Sequence, residues 1–157
     1  MKIFLTIIMI AGFSLPLTAQ IDLKNPPWEI ECDSSGTQME MNICSAEKLH
    51  IADSILELYY NKLISYVDSE YTSELKTSKD TTNEYERKYL NKLKNQKKAI
   101  IKSKADFEKF SNSTTDIVSY QYEGGSMEPM AVNDCALDIT INQIKILMNL
   151  MEQILDE

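Results

Sequence analysis

The sequence predicts an all-α fold: a small helical bundle of about three long helices, with an N-terminal extended arm and one N-terminal disulfide. Three observations lead there. Apolar residues recur at three-to-four spacing over long stretches. Only four glycines and four prolines punctuate 157 residues, and two of the glycines are adjacent, at 124 and 125. The run Cys32-Asp33-Ser34-Ser35-Gly36-Thr37-Gln38-Met39-Glu40-Met41-Asn42-Ile43-Cys44 joins two of the three cysteines to a helix start.

The chain opens with Met1-Lys2, an apolar run from Ile3 to Leu15, and then Pro16-Leu17-Thr18-Ala19-Gln20. A basic start, a short apolar core and a small residue before a polar one predict a Sec signal peptide over residues 1–19, cleaved after Ala19. The run is too short for a membrane span, and no cysteine follows to carry a lipid. Residues 20–157 are then expected to form a single domain that is periplasmic or secreted, not lipid-anchored. The formal charge of −8 argues against nucleic acid or an anionic membrane as partner. It suits a basic partner, or simply keeps an exported protein soluble.

Residues 20–36 read as the arm, where Pro26 and Pro27 prevent helix and the single tryptophan, Trp28, is expected to pack over the helices. Three cysteines allow three pairings, and an oxidising compartment favours one bridge with one thiol left over. The short separation favours Cys32–Cys44, with Cys135 unpaired. Thr37 and Glu40 form a capping box: the hydroxyl takes an orphan N–H and the carboxylate reaches back.

The first helix is expected from Gln38 to about Val67, with Met41, Cys44, Ile51, Ala52, Ile55, Leu56, Tyr59, Leu63 and Tyr66 inward. The polar stretch Asp68–Asn83 reads as a loop, with room for a helical turn near Glu74 and Leu75. A second helix is expected from Asn83 or Glu84 to about Phe110, with a core face of Tyr85, Tyr89, Leu93, Ile100, Phe107 and Phe110. Its other face carries Lys88, Lys92, Lys94, Lys97, Lys98, Lys102 and Lys104, which either balance acidic neighbours or contact anionic envelope polymers. After Ser111–Thr115 the helix frays or continues briefly through Ile117 and Val118.

The stretch from Tyr120 to Met130 is the sharpest bend, because Gly124-Gly125 permits a left-handed turn and Pro129 delays the next helix. Tyr120, Tyr122, Glu123, Gly124, Gly125, Ser126 and Met127 form the candidate partner contact, since tyrosine and serine suit wet recognition. The same loop also reads as a plain helix connection. The last helix is expected from Asn133 or Asp134 to Leu155; it is apolar on most sides, so it is central to the bundle or buried by a partner such as a second copy. Met130, Met148 and Met151 read as core filler.

Catalytic signals are weak, and a non-enzyme is expected. His50 is the only histidine, which leaves no nucleophile–base pair and no metal set. Glu40, Asp53 and Glu57 show no acid–base spacing, Gly124-Gly125 lacks a phosphate-loop setting, and Cys135 has no basic neighbour to activate it. Neither a cofactor nor a metal is expected.

The order of motifs resembles the LprI-like lysozyme-inhibitor family. Cys32, Thr37-Gln38-Met39-Glu40-Met41-Asn42-Ile43-Cys44, Ala52-Asp53, Leu56, Tyr59 and Leu63 carry the first half of the resemblance. Tyr122-Glu123-Gly124-Gly125-Ser126-Met127, then Cys135 and Thr140, carry the second. The resemblance covers most of the chain from Cys32 onward and implies a small, exported, all-helical protein whose named relatives inhibit lysozyme. This chain departs from the pattern at the end of the second helix. Where the family usually shows Gln, Trp, Arg-Asp and Cys, it has Lys104, Phe107, Ser111, Asn112 and Thr115, and Gln143 stands for a usual Arg. The resemblance therefore implies a divergent member whose second cysteine pair is broken at Thr115, leaving Cys135 alone. Two functions follow as expectations. One is a binding protein that occludes a basic lysozyme-type hydrolase. The other is a non-inhibitory envelope module, dimeric through the C-terminal helix.

Overall fold

Three helices make up most of the described residues: α1 (Gln38–Thr77), α2 (Glu84–Tyr122) and α3 (Glu128–Leu155). The computed structural model describes residues 21–33, 35–77 and 83–155, and no strand occurs among them. The predicted leader, residues 1–19, lies outside the described residues. Side-chain pairs fix the topology as up-down-up. Asp68 meets Lys97 and Glu57 meets Lys104, so α1 and α2 are antiparallel. Ser45 meets Asn133, Asp53 meets Thr140 and Tyr60 meets Gln143, so α1 and α3 run parallel.

α1 starts where the capping box places it. The Thr37 backbone N–H donates to Glu40 Oε2 at 2.6 Å, and the Glu40 N–H donates to Thr37 Oγ1 at 3.3 Å. The Thr37 N–H, and the Thr37 hydroxyl donating to the same oxygen at 2.9 Å, hold the Glu40 carboxyl below its usual range. One turn on, Cys44 is bridged to Cys32 with Cα atoms 6.0 Å apart, and Cys135 is free. The bridge ties down the arm. Trp28 is 4% exposed and sits in the core with Ala52, Leu56, Tyr59, Tyr60, Leu63, Ile144, Leu147 and Met148. The arm is turned rather than straight: Asp22 Oδ1 accepts from the Lys24 N–H at 2.9 Å, and Pro26 O accepts from the Glu29 N–H.

Several boundaries differ from the sequence reading. α1 does not stop at Val67 but continues ten residues to Thr77, through the stretch expected to be a loop. The physical reason is its neighbourhood. With about 1.5 Å of rise per residue, α3 is shorter than α1 by roughly 18 Å, so the last turns of α1 pack on α2 alone and need few apolar residues. Val67 and Leu93 are buried there, Lys97 Nζ donates to Asp68 at 2.6 Å, and Lys94 lies over the Tyr71 ring. α2 likewise runs past Phe110 to Tyr122. The Ser–Thr cluster does not break it because the hydroxyls turn onto the helix's own carbonyls: Thr114 to Phe110 O at 2.8 Å and Thr115 to Ser111 O at 3.1 Å. α3 begins at Glu128, not at Asn133 or Asp134. Pro129 sits in its first turn, where a missing N–H costs no helical bond.

The assigned core faces also need correction at two positions. Tyr85 is 78% exposed and Phe110 is exposed as well, because α2 offers only a narrow strip to its partners. Its lysines are mostly engaged: Lys97 and Lys104 pair with α1 carboxylates, Lys102 pairs with Asp106, and Lys92 and Lys94 lie over tyrosine rings.

Candidate functional site

The predicted contact residues lie at one end of the bundle, beside the N-terminus of α1. Tyr120 and Tyr122 belong to the last turn of α2 rather than to a loop; Glu123–Met127 make the connection to α3. All seven are exposed, Tyr120 by 77%. The connection is held from several directions. Gly124 takes a φ of 74°, a left-handed conformation that costs glycine little. The Gly125 N–H donates to Tyr122 O at 2.9 Å, closing the end of α2. Glu128, opening α3, accepts from Ser119 Oγ at 2.6 Å and from the Gly124 N–H at 3.0 Å. Both bonds hold its carboxyl below the usual range. Asn42 of α1 donates to Ser126 O at 3.1 Å. The turn is thus exposed yet fixed to all three helices. Met39, Ile43 and Met127 add exposed apolar surface at the same end.

A cleft of about 510 Å³ opens further down the bundle, lined by all three helices. Its deep residues are Leu56, Tyr60 and Thr140, all buried. Exposed Asp53, Glu57 and Glu108 stand at its lip, with Lys104 ion-paired to Glu57. That pair lowers the Glu57 carboxyl, chiefly through the hydrogen bond. Asp53 behaves oppositely. Burial of its carboxyl pushes it up, against the opposing effects of the 3.2 Å hydrogen bond from Thr140 Oγ1 and of His50. Lys104, Phe107, Ser111, Asn112 and Thr115, the positions where the chain departs from the family pattern, all line this cleft. Gln143 lies outside it, donating to the Tyr60 hydroxyl at 2.8 Å.

The sequence reading placed the turn correctly on the surface but missed the cleft, because its walls come from three distant segments. One signal was available: residues 104, 107, 108, 111, 112 and 115 fall on one helical stripe. His50 is exposed, and no set of three His, Cys, Asp or Glu side chains among the described residues is placed to hold a metal. The arrangement offers an exposed, hydrogen-bonded turn with aromatic and methionine side chains, and a carboxylate-rimmed cleft whose floor is Leu56, Tyr60 and Thr140.

Residues 31–147 match the family described as lysozyme inhibitor LprI. An uncharacterized protein of Rhizobium meliloti (strain 1021) is 26% identical over 135 residues, covering 86% of this chain and 87% of its own length. No solved structure matches the chain.

Proposed function

The chain belongs to the LprI family, and from that premise we propose that it is an exported binding protein that inhibits a lysozyme-type cell-wall hydrolase by occlusion. The single observation that carries the reading beyond family membership is the rigid, exposed turn at Tyr122–Met127, anchored by Glu128 and Asn42. A surface that is ordered before binding loses less conformational entropy when it docks. Tyr120 and Tyr122 supply large contact area with few rotatable bonds, and Met127, Met39 and Ile43 supply adaptable apolar contact. The formal charge of −8 favours encounter with a basic enzyme, mainly through association rate.

The leader over residues 1–19 supports export, and no helix among the described residues is long and apolar enough to cross a membrane. The test is lysis of a cell-wall suspension by lysozyme. Added protein is expected to slow lysis in proportion to its concentration, and Tyr122→Ala to weaken the effect by about tenfold or more. No slowing by micromolar protein across several lysozyme types would defeat the proposal. One observation favours a second reading: Ile146 and Leu150, one turn apart on α3, are 52% and 43% exposed, which suits pairing with a second copy. A strictly monomeric profile in size-exclusion chromatography would remove it.

A further inference from the structure

We propose that the cleft between the three helices is an anchor pocket for one lysine or arginine side chain of the protein partner, its aliphatic stem against Leu56, Phe107 and Ala136 and its cation at Asp53. The proposal rests on the inhibitor reading only for the identity of that partner. Four features of the cleft point to such an occupant. Its volume of about 510 Å³ exceeds what one long side chain needs and falls in the range typical of specific binding pockets. Its lining sets apolar Leu56, Phe107 and Ala136 beside the carboxylates Asp53, Glu57 and Glu108, so a long side chain can lay its stem on the first group and its cation on the second.

Its own cation is already used. Lys104 is the only lysine or arginine in the lining and is paired with Glu57, so three carboxylates face one lysine and the cleft is net negative. Glu108 and Asp53 are left for a guest, and Asp53 is the one bonded to a buried residue of the cleft. It has a hydrogen bond from Thr140 and no ion pair among the described residues, and it is already partly withdrawn from water. A carboxylate that has already given up part of its hydration loses less of it when a cation arrives, so more of the attraction is realised.

The position fits as well. Thr115 in the cleft and Tyr122 at the turn are seven residues apart on α2, roughly 10 Å along the helix. Leu49 in the cleft and Asn42 under the turn have the same separation on α1. A standard interface of about 800 Å² per partner spans both. The turn would then provide the broad contact, and the cleft a single side-chain anchor.

Two readouts test this. In the first, isotope-labelled protein is titrated with N-acetyl-arginine amide, N-acetyl-lysine amide and neutral N-acetyl-norleucine amide, and backbone amide shifts are followed. The cationic probes are expected to shift amides at Asp53, Ser111–Thr115 and Ala136 and to saturate at roughly millimolar concentration, as a single side chain without its protein should. Asp53→Asn and Ala136→Leu, the second filling the cleft, should lose those shifts while keeping the parent's thermal midpoint within a few degrees. Cationic probes that leave the cleft amides unmoved, or a norleucine probe that moves them equally, would overturn the proposal.

In the second readout, lysozyme inhibition is measured. Both variants are expected to inhibit about tenfold less well, while Glu84→Gln at the far end of α2 inhibits like the parent. Parent and cleft variants inhibiting equally would sink the anchor pocket and leave the inhibitor reading standing. A parent that inhibits nothing, yet binds the cationic probes in the cleft, would do the reverse.

Discussion

Removing the Cys32–Cys44 bridge is the perturbation whose magnitude follows most directly from the structure. The two residues are separated by 12 positions, and they join the arm to the second turn of α1. Closing a loop of that length removes denatured-state entropy equivalent to about 3 kcal/mol at room temperature. For a domain of this size that corresponds to a fall of roughly 10 °C in thermal midpoint. The Cys32→Ser, Cys44→Ser double variant should be made with Cys135→Ser, so that the free thiol cannot substitute a new bridge. Trp28, the only tryptophan, is buried four residues before Cys32, so its fluorescence reports the arm while circular dichroism reports the helices. In the bridged protein the two signals should change together. Without the bridge, the fluorescence transition should come first, because only local packing then holds the arm. A midpoint within about 2 °C of the bridged control would refute the entropic argument, and coincident transitions in the unbridged protein would refute the independence of the arm.

Three further outcomes are expected. Trp28→Ala should lose about 3–5 kcal/mol in chemical denaturation, since a large buried side chain leaves a cavity between α1 and α3. Gly124→Ala should lose about 1 kcal/mol from the positive φ alone, and, because nothing lies near an added Cβ, it should do so without a packing clash. Asp53→Asn should be more stable than the parent at pH 7 as judged by urea midpoint. The folded carboxyl titrates above the ordinary aspartate value of 3.8, so the parent gains stability as pH falls through the folded value, and the difference should close below about pH 3.8. A gap that widens on acidification would contradict the burial of that carboxyl.

What the sequence disclosed was what is encoded locally. The capping box at Thr37 and Glu40, the bridge twelve residues apart and the glycine pair each act within a few residues of chain, so spacing alone reveals them. Helix ends were misjudged wherever the deciding factor lay elsewhere. The polar residues after Val67 stay helical because only α2 covers them, and Ser111–Thr115 stay helical because their hydroxyls find partners in the preceding turn. Periodicity identified an apolar stripe on α2 but not which of its members would have a neighbour, so Tyr85 and Phe110 were assigned to a core they do not enter. Tyr60, Thr140 and Ser45 carry polar atoms and are nonetheless buried. Each finds its bond across a helix interface, to Gln143, Asp53 and Asn133 respectively.

The departures from the family pattern make physical sense together rather than singly. A buried charged pair that loses one member leaves a desolvated charge, and that loss is severe. Here Ser111 and Asn112 occupy both places, so no charge is stranded. Thr115 stands where a cysteine is usual, and its hydroxyl bonds to the carbonyls of Ser111 at 3.1 Å and Asn112 at 2.9 Å, within its own helix. No buried side-chain nitrogen or oxygen among the described residues lacks a partner. Phe107, Ser111, Asn112 and Thr115 line the α2 side of the cleft at the three-helix junction, whose open side carries Asp53, Glu57 and Glu108. A fold whose core lies mainly between α1 and α3 can accommodate that change on its α2 side, because α2 buries only Leu93 fully. The same weak burial that made α2 hard to delimit from sequence leaves part of its inner face to line a cleft without loss of the α1–α3 core.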